Sequence, residues 1–295
     1  MTSLMKRLRR AGAALIALSL SWSLAASAWA APALWVMTDK DSTIYLFGTM
    51  HVLEPDQKWR TPLFDDAYGR SATVWFETDM DIDPAAMQGL VLKYGIDPKR
   101  TLSEKLSPAT AARVKAALRG TVVTFDAIEH MRPWAVALML TVMPMMKQGY
   151  TSEAGADATL TTAAKGSAKQ IRTFETIEQQ VRIFADLSEA GEISFLEQTL
   201  NDDDDSAANV NLEASWAGGD LVAVGSLMVN DMRVANPEVY DAMIKRRNLA
   251  WAQVLDGQMH GKGVMMVNVG ALHLIGPDGI PQLMRARGYK VERIQ

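Results

Sequence analysis

Four histidines occur in the 295-residue chain, and two of them share a setting. His51 follows Gly48 by three positions in STIYLFGTMHVLEPD, and His273 follows Gly270 by the same interval in GVMMVNVGALHLIGPDG. Two glutamates also match: Glu77 closes the run ATVWFE, and Glu175 follows Phe174 at the end of a second run. Two imidazoles with one or two carboxylates form a donor set that binds first-row divalent metals such as Mn, Co or Zn and leaves positions open for water. A metal so held lowers the pKa of bound water toward about 7 and polarises a carbonyl, while a second glutamate can take the proton. Hydrolysis of an amide or ester is the chemistry that follows. Taken singly, a histidine three after a glycine is common, and a glutamate after an aromatic strand is often a rim charge paired with lysine or arginine. The repetition of both pairs favours a site. His130 and His260 lack such partners, the first starting a helix and the second lying in the turn GQMHGKG.

The elements that must carry these residues follow from hydrophobic period and turn chemistry. LWVMTDKDSTIYLFGTM alternates β-branched and aromatic residues about Asp39 to Ser42 and predicts a hairpin, with His51 just past its second strand. ATVWFETDMD predicts a strand with Glu77 at its end, and a strand ending at Phe174-Glu175 is expected between helices. GVMMVNVGALHL is a further strand, followed by the helix IPQLMRARG and the edge strand YKVERI. Helical signals cover residues 84–94, 108–119 and 126–148, with Ser107-Pro108 and Arg132-Pro133 as starts. A long helix is expected to continue past residue 187, and helices resume at 212–228 and 237–255. AVALMLTVMPMM, residues 135–146, is too short to span a bilayer and is expected as a buried core helix; its methionines could instead line a cleft for varied peptides. The glycine before each histidine lets the backbone turn tightly and another segment approach closely.

The expected fold is α/β in the α+β sense, with a mixed sheet built from two related halves and covered by helices. Each half, about 31–150 and 151–295, offers one histidine and one glutamate at strand ends, and two such halves facing one another would converge the four side chains. Residues 1–30 have the layout of a secretory signal peptide: Lys6, Arg7, Arg9 and Arg10, an apolar run, then Ala28-Trp29-Ala30 as a cleavage site near Ala30. The alternative is an uncleaved anchor. Cleavage leaves no membrane span and points to the periplasm or the cell exterior. It removes four basic and no acidic residues, moving the formal charge from −4 to −8, which argues against a nucleic-acid partner. The absence of cysteine excludes disulfides and thiolate metal sites. The NDDDDSAAN run invites a calcium reading, but calcium-loop spacing is absent and a solvated loop explains it.

LFGTMHVL, VWFETDM, GADATL, FETIEQQ, SWAGGDL, Arg247-Asn248 in KRRNLAW, and VGALHLIGPDGIPQLMRARGYKV together resemble the TraB/GumN family, which is related to the Tiki metalloproteases. The resemblance extends over almost all of the chain after residue 30, and the order and spacing of its motifs carry it. It implies a metal-dependent peptidase fold of two related halves, a peptide or protein substrate, and a site formed by His51, Glu77, Glu175 and His273. In that reading His51 and His273 bind the metal with Glu77, Glu175 is base or further ligand, Arg247 stabilises the oxyanion, and Asn248 supports the site. Phe174 stands where the family commonly has leucine. Some family members bind or sequester peptides, so a peptide-binding protein without turnover is the alternative. The sequence leaves the metal, the substrate and the oligomeric state open.

Overall fold

Six strands hydrogen-bond into one mixed sheet in the computed structural model, which describes residues 31–79, 83–202, 206–225, 229 and 231–295. β1 (Leu34–Thr38) and β2 (Ser42–Thr49) form the expected hairpin, closed by the Asp39 carboxylate, which accepts from the N–H groups of Asp41 and Ser42. β3 (Thr73–Phe76), β4 (Gln170–Thr173), β5 (Gly263–Gly270) and β6 (Lys290–Arg293) complete the order β4-β3-β5-β2-β1-β6. β4, β3, β5 and β2 are mutually parallel, whereas β1 is antiparallel to both β2 and β6. β3, from the first half of the chain, lies between β4 and β5 from the second. The register sets Thr49 opposite Gly270, and Phe76 opposite both Asn268 and Thr173, so the four parallel strands end at one edge of the sheet.

The helices are α1 (Pro62–Arg70), α2 (Pro84–Gly95), α3 (Pro108–Ala117), α4 (Pro133–Lys147), α5 (Ala156–Lys165), α6 (Ile177–Ala185), α7 (Glu189–Asp202), α8 (Ser206–Ala217), α9 (Arg246–Met259) and α10 (Ile280–Ala286), with shorter turns between them. Both faces of the sheet are covered because both are apolar. Trp35, Ile44, Leu46, Trp75 and Val267 pack on Trp251, Ala252 and Leu255 of α9 and Met284 of α10, while Tyr45, Phe47, Val74, Phe76 and Met266 pack on Phe64 of α1 and Leu160 of α5. The alternation along β2, with Ile44 and Leu46 on one face and Tyr45 and Phe47 on the other, is the two-residue period of a pleated strand. A second layer joins α4 to α7 through Val136, Ala137, Leu140, Leu196 and Leu200.

Four expectations change. The helix expected over 126–148 begins only at Pro133, after a single 3-10 turn at Asp126–Ile128, because the residue before a proline is driven extended, as Arg132 is. The helix expected over 212–228 is interrupted after Ala217, where Gly219 takes a positive φ and the Asp220 side chain caps a new short helix, Leu221–Val224. The helix expected to run past residue 187 breaks between Ala185 and Glu189. Ser188 Oγ accepts from Gly191 N–H and caps α7, and the Glu238 carboxylate fixes that serine by accepting from its N–H and its hydroxyl. The apolar helix at 135–146 is a core helix only in its first half. Val136, Ala137 and Leu140 are buried, but the side facing away from α7 reaches the surface, with Val142 39% and Met146 65% exposed. The segment 1–30 and Asp203, Asp204 and Asp205 lie outside the described residues, as do the expectations that fall on them.

Gly48 has a packing reason to be glycine. A Cβ there would stand 2.9 Å from Ala271 Cα and 3.2 Å from Ala271 Cβ, so the two strand ends that lead to the histidines are pressed together at this point. Gly48→Ala is expected to destabilise the fold by about 1–3 kcal/mol through overpacking, read as a lower midpoint in urea unfolding; unchanged stability would show that the contact yields freely.

Candidate functional site

All four residues singled out from the sequence sit at the carboxyl ends of adjacent parallel strands. His51 lies two residues past β2, Glu77 directly after β3, Glu175 two residues past β4 and His273 three past β5. That edge is where open α/β sheets place their sites, because the chain departs there and the crevice is lined by loops. Pairing carries on beyond the strands, with Phe174 N–H donating to the Phe76 carbonyl and Glu175 N–H to the Glu77 carbonyl, which holds the glutamates side by side. α9 brings Arg247 and Asn248 to the same edge.

The other glycine of the repeated pair makes the meeting place. A Cβ on Gly270 would lie 3.1 Å from Glu77 Oε1, 3.5 Å from His51 Nε2 and 3.7 Å from His273 Cδ2, so the three groups converge on the space a side chain would fill. Gly270 N–H also donates to Glu77 Oε1 at 2.7 Å. Glu77 Oε1 stands 3.6 Å from His273 Nε2.

Each imidazole is oriented from behind. His51 Nδ1 donates to Asp157 Oδ2 at 2.8 Å, and the other oxygen of Asp157 accepts from Thr49 Oγ1 at 2.6 Å. The backbone here is clamped as well: Ala156 N–H donates to the Met50 carbonyl, and a Cβ on Gly155 would collide with the His51 carbonyl oxygen at 2.1 Å. His273 Nδ1 faces Asn248 Oδ1 at 2.6 Å. The Asn248 amide donates from Nδ2 to the carbonyls of His273 and Asp278, so its oxygen must be the acceptor and His273 carries its proton on Nδ1. Both rings therefore direct Nε2 inward. The anchor behind the ring is the arrangement that sets tautomer and direction in histidines that hold metals.

Arg247 fills the remaining ground. Its Nε donates to both Glu175 oxygens, at 2.9 and 3.2 Å. Nη2 donates to Glu175 Oε2 at 2.9 Å and Glu77 Oε2 at 2.5 Å, and Nη1 to the Met243 carbonyl and to His273 Nε2, both at 3.0 Å. All five N–H groups of the guanidinium thus have acceptors within the protein. The residues just before it, Asp241–Lys245, form a π-turn, which disturbs the usual pairing of carbonyls along the helix and accompanies the Met243 carbonyl turning to Arg247. Trp251 supports the cluster, its ring 4.6 Å from the Arg247 guanidinium carbon, 4.5 Å from the His273 ring and 5.0 Å from Phe174.

The charges follow from these contacts. Burial on its own would raise the Glu77 carboxyl, but the Arg247 guanidinium, the protonated His51 and the Gly270 N–H outweigh it and hold the group well below the usual carboxylate range. Burial pushes His273 down to about 3, so this imidazole is neutral at pH 7. The Asp157 charge pushes His51 up to about 9, and with 59% of its side chain exposed this ring is the open side of the site.

His51, Glu77, Glu175, His273, Arg247 and Asn248 are all brought together at this edge. Two contributors were not singled out from sequence. Asp157 lies in GADATL, where it looks like a first-turn acid of α5, and Gln180 of α6 donates from Nε2 to Glu77 Oε2 at 3.1 Å. Among the described residues no group of three or more His, Asp or Glu side chains already has the spacing to hold a metal ion. The donor chemistry at Gly270 fits one: two imidazole Nε2 atoms and a carboxylate oxygen, with each ring anchored through Nδ1.

The model for the TraB/PrgY/gumN family matches residues 33–293. The "Uncharacterized protein YbaP" of Escherichia coli (strain K12) is 31% identical over 155 residues, covering 52% of this chain and 56% of that protein, and the protein of the same name from Shigella flexneri matches to the same extent. The chain spans about half the length of the curated relatives it matches. No solved structure matches it.

Two measurements probe the geometry. Gly270→Ala has no positive φ to violate, so the fold should persist while the added methyl fills the meeting place; a divalent metal held by these three donors would bind about tenfold or more weaker in the variant, and unchanged affinity would place any metal elsewhere. The second concerns pH. Because the folded His51 pKa is raised from 6.5 to about 9, its pairing with Asp157 stabilises the fold fully below pH 6.5 and is lost as pH rises through 9. Urea unfolding of chelator-treated protein should show this decline in the parent, and Asp157→Asn should flatten it.

Proposed function

This chain belongs to the TraB/PrgY/gumN family, and we propose that it is an exported metal-dependent hydrolase acting on peptides or proteins, with His51, His273 and Glu77 holding the metal. The observation that carries this reading is the convergence of Glu77 Oε1, His51 Nε2 and the His273 ring on Gly270, with each imidazole anchored from behind. Mn, Co and Zn all suit that donor set. When bound, the metal supplies an acidified water and polarises the scissile carbonyl. The protein's own groups do the rest. Glu77 turns Oε1 toward the histidines, whereas both oxygens of Glu175 face Arg247, so Glu77 is the ligand and Glu175 the base. Among the described residues Glu175 Oε1 accepts only from Arg247 Nε and keeps a lone pair for a proton. Arg247 holds the two carboxylates side by side, and an oxyanion role would require one of its five N–H groups to leave its present acceptor. No helix among the described residues is long and apolar enough to cross a membrane. Export rests on the signal-like segment 1–30 and places the activity in the periplasm or outside the cell.

A second reading, a peptide-binding protein without turnover, is favoured by one observation: every N–H of Arg247 and the His273 Nε2 lone pair are already satisfied internally. The test separates the two. Purified protein is analysed for metal and assayed on unstructured peptides with Mn, Co and Zn. His51→Ala and His273→Ala should each abolish hydrolysis and reduce bound metal, and the double variant should be no worse than either. Glu175→Gln should keep the metal and lower turnover by about 100-fold or more. Peptide binding with no turnover and no stoichiometric metal would favour the second reading instead.

A further inference from the structure

The Arg247 guanidinium lies where the site attracts a cation, and it uses a lone pair that a metal would need. Nη1 donates at 3.0 Å to His273 Nε2, the ring nitrogen that Asn248 leaves unprotonated. Nη2 donates to Glu77 Oε2, on the carboxylate whose other oxygen stands 3.6 Å from that same nitrogen. Resting on the metal-site reading above, we propose that Arg247 is a resident cation of the site that competes with the metal for His273 Nε2, so that loading requires Nη1 to let go of the imidazole.

The rest of the guanidinium need not leave. Nε and Nη2 grip Glu175, the other Nη1 hydrogen holds the Met243 carbonyl, and the Trp251 ring lies alongside. One hydrogen bond therefore separates the closed from the loadable arrangement. Arginine stays protonated at any working pH, so it cannot yield by losing a proton and must shift instead. Competition and support make opposite predictions. An arginine whose task is to orient Glu77 for the metal weakens metal binding when it is lost; one that covers a ligand's lone pair and adds like charge beside the metal strengthens it.

The full-length protein, stripped with chelator, is titrated with Zn2+ against a chromophoric competitor, in the parent and in Arg247→Met, a variant of similar reach without charge or donors. Tighter binding by Arg247→Met, by about tenfold or more as expected when a hydrogen bond between a charged and a neutral group no longer competes, supports the proposal; so does zinc binding by the variant alone. Equal or weaker binding by the variant, with the parent binding zinc, overturns the competition and leaves the metal site standing. Absence of zinc binding in both overturns the metal reading and the competition with it. Nitrogen-15 NMR of the parent gives an answer that does not depend on the variant folding. On zinc addition the His273 Nε2 resonance should move while the Arg247 Nε–H signal, held by Glu175, persists. Zinc binding that leaves the His273 Nε2 resonance unmoved would sink the proposal.

Discussion

Two carboxylates side by side at the ends of β3 and β4 require a fixed positive charge, and the rest of the site is arranged around the one that Arg247 provides. The Glu77, Glu175 and Arg247 side chains are 8%, 13% and 11% exposed, so water screens them little and an unpaired member would be strongly disfavoured. The two-pronged grip on Glu175 and the shared contact with Glu77 use the planar fork that lysine lacks. The sheet accounts for the carboxylates being neighbours, since β3 and β4 are paired in register up to Phe76 and Thr173 and the pairing continues into the glutamates themselves. Removing the arginine would leave like charges together; shifting the register by one residue would send one carboxylate to the opposite face.

The two glycines at the same spacing before a histidine do different work. Gly48 is small so that β2 can lie against Ala271, and its carbonyl takes the Trp216 indole N–H at 2.8 Å. Gly270 is small so that Glu77 and both imidazoles can share one space. Because Thr49 and Gly270 are register partners on β2 and β5, the two segments that resemble each other in sequence also touch in space. The repeated interval thus has a common geometric origin in two parallel strands ending together, and separate local reasons at each end.

Much of this was legible in the sequence, and what was not shares a physical character. Alternation of β-branched and aromatic residues marked β1 and β2, apolar runs marked β3 and β5, and the Ser107-Pro108 and Arg132-Pro133 starts marked α3 and α4, because those signals are local. His51, Glu77, Glu175 and His273 were picked out by strand-end position, and Arg247 and Asn248 by family resemblance. Asp157 was not, since its partner His51 is 106 positions away and its own surroundings read as an ordinary helix start. The break at Ser188 depends on Glu238, fifty residues on, and the surface exposure of Val142 and Met146 depends on which side of α4 meets α7. The π-turn before Arg247 has no compositional mark, as its residues, DAMIK, would suit an ordinary helix.

The charge balance of the cluster bears on how a guanidinium and the divalent metal proposed above would share it. Three carboxylates, Glu77, Glu175 and Asp157, face two cations, Arg247 and a His51 whose raised pKa keeps it protonated at pH 7. His273, held neutral by burial, adds no charge. The cluster therefore carries one negative charge in excess, on groups that are mostly covered, and it favours the arrival of a cation. A divalent ion that takes the His51 Nε2 site must expel the proton there, since an imidazolium has no lone pair to offer. That exchange adds two charges and removes one, which brings the cluster to neutrality. A metal binding without displacing the proton would overshoot, and a monovalent cation displacing it would leave the excess as it was. In the proposed metal site one divalent ion would thus exchange for one proton, with His51, on the open side of the site, as the group that gives it up.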